Sequence, residues 1–130
     1  MNQVVTIDGL FPGLNEIIHA AGVFGRQAHG KGGKRWRQYA AMKSSITTRV
    51  LAACTEQRTR PAGRCRIHFH WVERNRRRDP DNIRAAAKFI LDGLMEARVI
   101  EDDGWDEIAE LSDTFEVDVS PRVVVTISPA

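Results

Sequence analysis

The sequence predicts an α+β domain, a small mixed β-sheet with two helices packed on one face. The 130 residues are enough for one domain with one core. Segments rich in β-branched residues alternate with segments whose apolar residues recur at helical spacing, in the order β-α-β-α-β-β. A hydrophobic content of 42% and a charged content of 28% are typical of globular proteins.

The first half of the chain gives the first strand and the first helix. Residues 3–8, QVVTID, are predicted as a strand because they are rich in β-branched side chains. The glycines and proline of GLFPGLN, residues 9–15, predict a turn. Five glycines in residues 20–35 predict a long loop of the functional kind. Residues 36–55 carry apolar side chains near helical spacing, which predicts the first helix.

The middle of the chain gives the second strand and the best-signalled helix. Residues 64–73, RCRIHFHWVE, alternate apolar and polar side chains and are predicted as a strand. Asp79 is suited to the N-cap of a helix, and Pro80 is suited to its first position, where a missing N–H costs nothing. An apolar stripe then continues to about Arg98, which predicts one continuous second helix.

The last third gives an acidic loop and two strands. EDDGWDE, residues 101–107, is predicted as a loop, and residues 108–119 and 121–129 as the last two strands. No apolar run reaches the roughly 18 residues that cross a bilayer, and no secretory signal is expected at the start. Cys54 and Cys65 lie outside any metal-ligand spacing and are expected to be free thiols in a reducing cytoplasm.

Charge is divided unevenly along the chain. The net charge of +2 combines +11 in residues 1–78 with −9 in residues 79–130. The sign changes between Arg78 and Asp79. Such asymmetry indicates a polyanionic partner, although two simply solvated halves explain it equally well.

Asp79 and Asp81 are the first candidate for chemistry. One explanation is structural: an N-cap and a first-turn acid at the positive end of a helix. The other is Mg²⁺ binding, because hard cations prefer oxygen ligands and often use few carboxylates. The structural explanation does not account for the adjacent arginines or for the second acidic cluster at residues 101–103. Carboxylates beside phosphate-binding arginines indicate metal-assisted phosphodiester hydrolysis.

Helix length separates the two acidic clusters. A helix from Asn82 to Ala97 would be about 24 Å long, and the connection to Asp103 would span at most about 20 Å when fully extended. A two-fold dimer with antiparallel helices would bring the start of one helix near the end of the other. If the clusters share a metal, we therefore expect a second subunit to complete each site.

Several basic residues are candidates for contacts with phosphate. Lys88 follows Asp81 by nearly two helical turns and is either a transition-state cation or a surface lysine paired with Asp92. Arg84 is an alternative cation. The loop of residues 31–37, KGGKRWR, combines four cations with an indole and either binds nucleic acid or is a solvated loop. His68 and His70 are predicted on one side of a strand, facing solvent or DNA rather than a metal.

The run RRRDPDNIRAAAKFILDGLMEARVIEDDGWDEI, residues 76–108, resembles the signature of RusA-type Holliday junction resolvases. That pattern has a basic run, Asp-x-Asp-Asn, a helical lysine, Asp-x-Leu and a closing Asp-Asp pair. FPGLNEI also resembles the family's early turn, with Asn15 in the place of its asparagine. The family pattern puts its lysine at the position of Ala85, so Lys88 matches only if the helix carries three extra residues.

The resemblance implies a RusA-like fold and a Mg²⁺-dependent homodimer that cuts four-way DNA junctions. It implies metal ligation by Asp79, Asp81 and Asp103, with Asp102 as an alternative third ligand, and a catalytic role for Lys88. The residues expected to hold DNA are Asn15, Lys31, Lys34, Arg35, Arg37, Arg74, Arg76, Arg77 and Arg78. The alternatives are a catalytically silent DNA-binding protein and a metal-dependent phosphatase acting on a small molecule. No membrane partner is expected.

Overall fold

The computed structural model describes residues 2–22 and 33–130, without the side chains of residues 33–36. The described residues form β1 (Gln3–Asp8), α1 (Leu14–Ala21), α2 (Gly33–Glu56), β2 (Cys65–Glu73), α3 (Pro80–Arg84), α4 (Ala87–Glu96), β3 (Ile108–Val117) and β4 (Arg122–Pro129). The predicted α+β class is confirmed. None of the described helices is long and apolar enough to cross a membrane.

The four strands form one mixed sheet in the order β1-β4-β2-β3. Strand β4 is antiparallel to β1 and β2, whereas β2 and β3 are parallel. A parallel pair requires a crossover connection, which α3 and α4 supply. Val5, Phe69 and Val125 lie in register and are fully buried, so the core occupies one face of the sheet. The helices cover that face, as the sequence predicts.

Helices α2 and α4 pack closely over the sheet. A Cβ atom at Gly93 would lie 2.6 Å from the Cβ of Val50, so only glycine permits this approach. Tyr39 on α2 meets Phe89 on α4 edge to face, with 5.7 Å between the ring centroids. This contact fixes the position of α4, which carries Lys88.

Helix α1 is absent from the sequence prediction, which assigned a turn and then a loop to this part of the chain. Its N-terminus is stabilised by Glu16, whose carboxylate accepts a hydrogen bond from the backbone N–H of Gly13. The predicted loop over residues 20–35 is therefore too long at both ends, since it overlaps the end of α1 and the start of α2. Residues 23–32 lie outside the described part of the chain.

The predicted second helix is divided into α3 and α4. Ala85 and Ala86 separate them with backbone angles that remain in the right-handed helical region. The backbone N–H of Phe89 bonds to the carbonyl of Ala86, a short three-residue spacing. The prediction of one continuous helix is therefore wrong, and its length is not a rigid spacer between the acidic clusters.

Candidate metal and nucleic-acid site

Asp79 and Asp81 lie exposed at the start of α3. Asp79 has the extended backbone of an N-cap residue (φ −75°, ψ 156°), but its side chain makes no capping hydrogen bond. It forms no hydrogen bond or ion pair with any described side chain. One carboxylate oxygen of Asp81 accepts the backbone N–H of Asn82 at 2.9 Å. Asp79 thus has the backbone conformation of the predicted N-cap but not its side-chain hydrogen bond. Its carboxylate remains available for a ligand.

The early turn packs directly against the acidic segment. The backbone N–H of Asn15 donates to the side-chain oxygen of Asn82 at 3.2 Å, across 67 positions of sequence. A Cβ atom at Gly13 would lie 2.6 Å from the same oxygen, so any larger residue would displace the Asn82 side chain from this contact. Asn15 is exposed beside Asp81 and Asn82. The structure therefore brings together the two segments on which the RusA resemblance rests.

Arg78 differs from the other arginines of its run because its guanidinium group points inward. Two of its nitrogens donate to the two carboxylate oxygens of Glu73 at 3.0 Å each, and a third donates to the carbonyl of Phe11 at 2.9 Å. Glu73 is only 9% exposed. A bidentate pair of this kind is geometrically specific and strong. Arg78 therefore fixes the segment before Asp79, and its contacts do not favour the predicted role in DNA binding.

Replacing Arg78 by alanine is expected to lower the free energy of unfolding by about 3 kcal/mol, because Glu73 would keep a nearly buried charge without its partner. Urea unfolding followed by circular dichroism measures the change. The neighbouring Arg77→Ala is the matched control, since Arg77 is exposed, and should change stability by less than about 0.5 kcal/mol. Equal effects from the two substitutions would show that the Glu73 contact does not stabilise the fold.

Lys88 connects α4 to the acidic loop of residues 101–107. Its ammonium group lies 3.1 Å from a carboxylate oxygen of Asp92 and 3.4 Å from one of Asp103. The hydrogen bond to Asp92 raises the pKa of Lys88 above its ordinary value, and the charge of Asp103 acts in the same direction. Lys88 is therefore protonated at neutral pH and is suited to stabilise negative charge rather than to act as a base.

Arg84, the alternative cation, is already engaged elsewhere. Its Nε donates to Asp113 on β3 at 2.9 Å. The other carboxylate oxygen of Asp113 accepts the indole N–H of Trp71 at 2.8 Å. Arg84 thus ties α3 to the sheet, whereas one of the two partners of Lys88 is Asp103, a predicted metal ligand.

The predicted metal ligands are not grouped within one chain. Among the described residues, no three His, Cys, Asp or Glu side chains lie close enough together to hold a metal ion. Asp103 lies beside Lys88, the second residue of α4, rather than beyond the far end of the helix. The acidic loop therefore folds back along α4. Contrary to the prediction, the length of the helix does not set the distance between Asp103 and the acidic pair.

The predicted DNA-binding residues are described only in part. Arg74, Arg76 and Arg77 are exposed in the segment between β2 and α3, and Arg37 is exposed in the first turns of α2. Lys31 lies outside the described residues, as do the side chains of Lys34 and Arg35. The described arginines between β2 and α3 directly precede the acidic pair, as the sequence indicates.

His68 and His70 lie on the outer face of the sheet, where strand β3 holds them. The ring of His68 contacts Ser112 and Thr114 at 2.6 and 2.8 Å, and that of His70 contacts Thr114 and Glu116 at 2.6 and 2.7 Å. Because all four ring nitrogens have partners, the pair is a cross-strand polar ladder rather than an open metal site.

Two features of this region escaped the sequence analysis. Trp105, in the acidic loop, is 93% exposed. The sequence signal for this exposure is that Trp105 stands alone among acidic residues. Glu73 appeared only as the end of a strand, since nothing in the sequence shows that it pairs with Arg78.

The chain matches no protein-family model, and no curated protein is significantly similar to it. The resemblance to the RusA-type resolvases rests on the motif residues named above.

Proposed function

We propose that the protein is a Mg²⁺-dependent, structure-selective endodeoxyribonuclease that resolves Holliday junctions and other branched DNA by paired phosphodiester cleavage. The observation that carries this proposal is the carboxylate of Asp79, which makes no capping hydrogen bond and has no hydrogen-bond or ion-pair partner among the described side chains. It lies beside exposed Asp81 and directly after exposed arginines. A purely structural N-cap would use that carboxylate to hold the helix, and the residue would then need no further explanation.

The side chains at the site suit magnesium. Asp79 and Asp81 offer the hard oxygen donors that Mg²⁺ prefers, and Asp103 is the proposed third ligand. Bound Mg²⁺ would polarise the scissile phosphate and lower the pKa of the attacking water. Lys88, kept protonated by Asp92 and Asp103, would stabilise negative charge on the phosphate in the transition state.

The exposed arginines are suited to hold the DNA backbone. Arg74, Arg76 and Arg77 present guanidinium groups next to the acidic pair, and Arg37 adds a cation on α2. Such contacts neutralise phosphates, so binding should weaken steeply as salt concentration rises. Asn15 lies beside the acidic segment and is suited to contact the same strand. Lys34 and Arg35, at the start of α2, are also part of the proposal, as is Lys31, which lies outside the described residues.

A homodimer is part of the proposal, because one chain does not group the three carboxylates among its described residues. A single RusA-like domain over residues 1–130 is also part of the proposal. We place the protein in the cytoplasm, where the buried, unpaired thiols of Cys54 and Cys65 would remain reduced. The substrate would be a recombination or repair intermediate or a branched phage genome.

Cleavage of a synthetic four-way junction tests the proposal. The junction and a linear duplex of matched sequence are incubated with the protein in Mg²⁺ or in EDTA. We expect symmetric nicks near the branch point, only in Mg²⁺ and only in the junction. Binding without cleavage in either Mg²⁺ or Mn²⁺ would instead identify a catalytically silent DNA-binding protein, an alternative that the ungrouped ligands favour.

A further inference from the structure

Trp105 is presented to solvent by a loop with several backbone hydrogen bonds. Its side chain is 93% exposed. The backbone around it is fixed, because the N–H groups of Glu107 and Ile108 both donate to the carbonyl of Gly104, at 3.2 and 3.0 Å. The carbonyl of Glu107 in turn accepts the N–H of Cys65 at 2.9 Å. An exposed indole on a hydrogen-bonded loop is suited to act as a binding anchor, since tryptophan is enriched in the energetic centres of interfaces.

A pocket with an apolar wall lies beside the acidic pair. It has a volume of about 280 Å³ and includes Asp79 in its lining. Pro80, Ile83, Phe115 and Val117 form its apolar part. Phe115 and Val117 remain 39% and 47% exposed, although they lie on the same face of the sheet as the core. The pocket is thus suited to receive one aromatic side chain next to the acidic pair.

The indole and the pocket lie at opposite ends of β3. The ten residues from Ile108 to Val117 extend over about 30 Å. Trp105 is three residues before Ile108, a reach of at most about 11 Å. Because β3 is at the edge of the sheet, two copies placed antiparallel along it would each set Trp105 at the pocket of the other. Leu111, 42% exposed on β3, would lie between the two contacts.

Charge favours a protein partner over DNA for this indole. Loop 101–107 carries five acidic residues and no basic one, so it repels phosphates. The pocket is bordered by Arg76, within a segment that also exposes Arg74 and Arg77, although its lining also includes the carboxylates of Asp79 and Glu116 and a Glu73 paired with Arg78. The acidic loop is therefore complementary to the exposed arginines of residues 74–77 rather than to the pocket lining itself.

We infer that the protein self-associates with two-fold symmetry through Trp105 of each copy, inserted into the pocket of its partner beside Asp79. Each pair of copies makes the contact twice, as an isologous interface requires. Asp103 is two residues from Trp105, a reach of at most roughly 7 Å. A docked Trp105 would therefore place Asp103 close to the pocket of the partner. The inference rests on the proposed function and deepens it, since it gives the surface through which a third carboxylate reaches Asp79 and Asp81. It is testable without DNA.

The first test measures association of the purified protein by sedimentation over a concentration series, in EDTA and in Mg²⁺. We expect Trp105→Ala to raise the dimer dissociation constant about 30-fold or more, the effect of losing a buried tryptophan anchor. Val4→Ala removes part of another exposed apolar side chain, on the opposite edge strand, and should leave association unchanged. Circular dichroism should show an unchanged fold for Trp105→Ala, because the side chain is exposed.

The second test pairs two defective variants. Val117→Arg blocks the pocket and should weaken self-association as Trp105→Ala does. A mixture of the two variants restores one of the two contacts, because the Trp105 of one meets the open pocket of the other. We therefore expect the mixed dimer to be tighter than either variant alone.

Three results would overturn the inference. They are a wild-type protein that stays monomeric at every concentration, unchanged association of Trp105→Ala, and a mixture that associates no better than its components. Loss of junction binding by Trp105→Ala with unchanged association would assign the indole to DNA instead. Association through Trp105 without any junction cleavage would support the interface and contradict the proposed nuclease activity.

Discussion

Asp81→Asn is expected to abolish Mg²⁺-dependent cleavage of a four-way junction while leaving junction binding nearly unchanged. The substitution keeps the shape of the side chain and removes the negative charge proposed to hold the metal. Metal stabilisation of the transition state is worth several kcal/mol, so the cleavage rate should fall about 10³-fold or more. The amide oxygen that the substitution introduces can still accept the N–H of Asn82, which keeps the local turn intact. Gel-shift and single-turnover cleavage assays separate the two effects.

Glu96→Gln is the matched control for this experiment. Glu96 is exposed at the end of α4, and the substitution removes the same charge outside the proposed site. It should leave both binding and cleavage unchanged. Retained cleavage by Asp81→Asn would refute its assignment as a metal ligand.

The fold was predictable where one periodic signal dominates a segment. Strand β2 alternates apolar and polar residues over most of its length and was placed within one residue. Helix α1 was missed because its eight residues follow a Gly- and Pro-rich turn, which is the stronger local signal. The division between α3 and α4 was also missed, since Ala85 and Ala86 favour helix and carry no sign of an interruption.

The candidate site was predictable only in its local part. Asp79 and Asp81 are two residues apart, so the sequence alone shows that they are neighbours. The inward orientation of Arg78 depends on Glu73 and on the carbonyl of Phe11, 67 positions away. Composition cannot separate an arginine that binds a carboxylate within the fold from one that faces DNA, because both lie in the same basic run.

The contacts around the acidic pair explain how it can be both exposed and well positioned. Arg78 fixes the chain before Asp79 through Glu73, and Asn82 fixes the chain after Asp81 through the turn at Asn15. The carboxylates are thus held by the backbone on both sides and not by contacts with other side chains in the described part of the chain. A site arranged in this way remains positioned when a ligand occupies the carboxylates.

A mixed dimer of Asp81→Asn and Asp103→Asn subunits is expected to recover nicking that neither variant has alone. If Asp103 acts across the dimer, one site of the mixed pair combines both substitutions and the other retains Asp79, Asp81 and Asp103 intact. The intact site should nick one strand at about half the wild-type rate per dimer. Coexpression with two affinity tags yields the mixed dimer, and cleavage of an end-labelled junction measures the nicks.

A dimer of the double variant with the wild-type chain is expected to be inactive if Asp103 acts across the dimer. When the double variant Asp81→Asn, Asp103→Asn is paired with the wild-type chain, both sites of the dimer contain a substitution, and nicking should be lost. If each chain instead completed its own site, this pairing would stay active, and the mixture of single variants would be inactive. The pattern of activity therefore decides whether Asp103 completes the site of its own chain or, as the ungrouped ligands suggest, that of its partner.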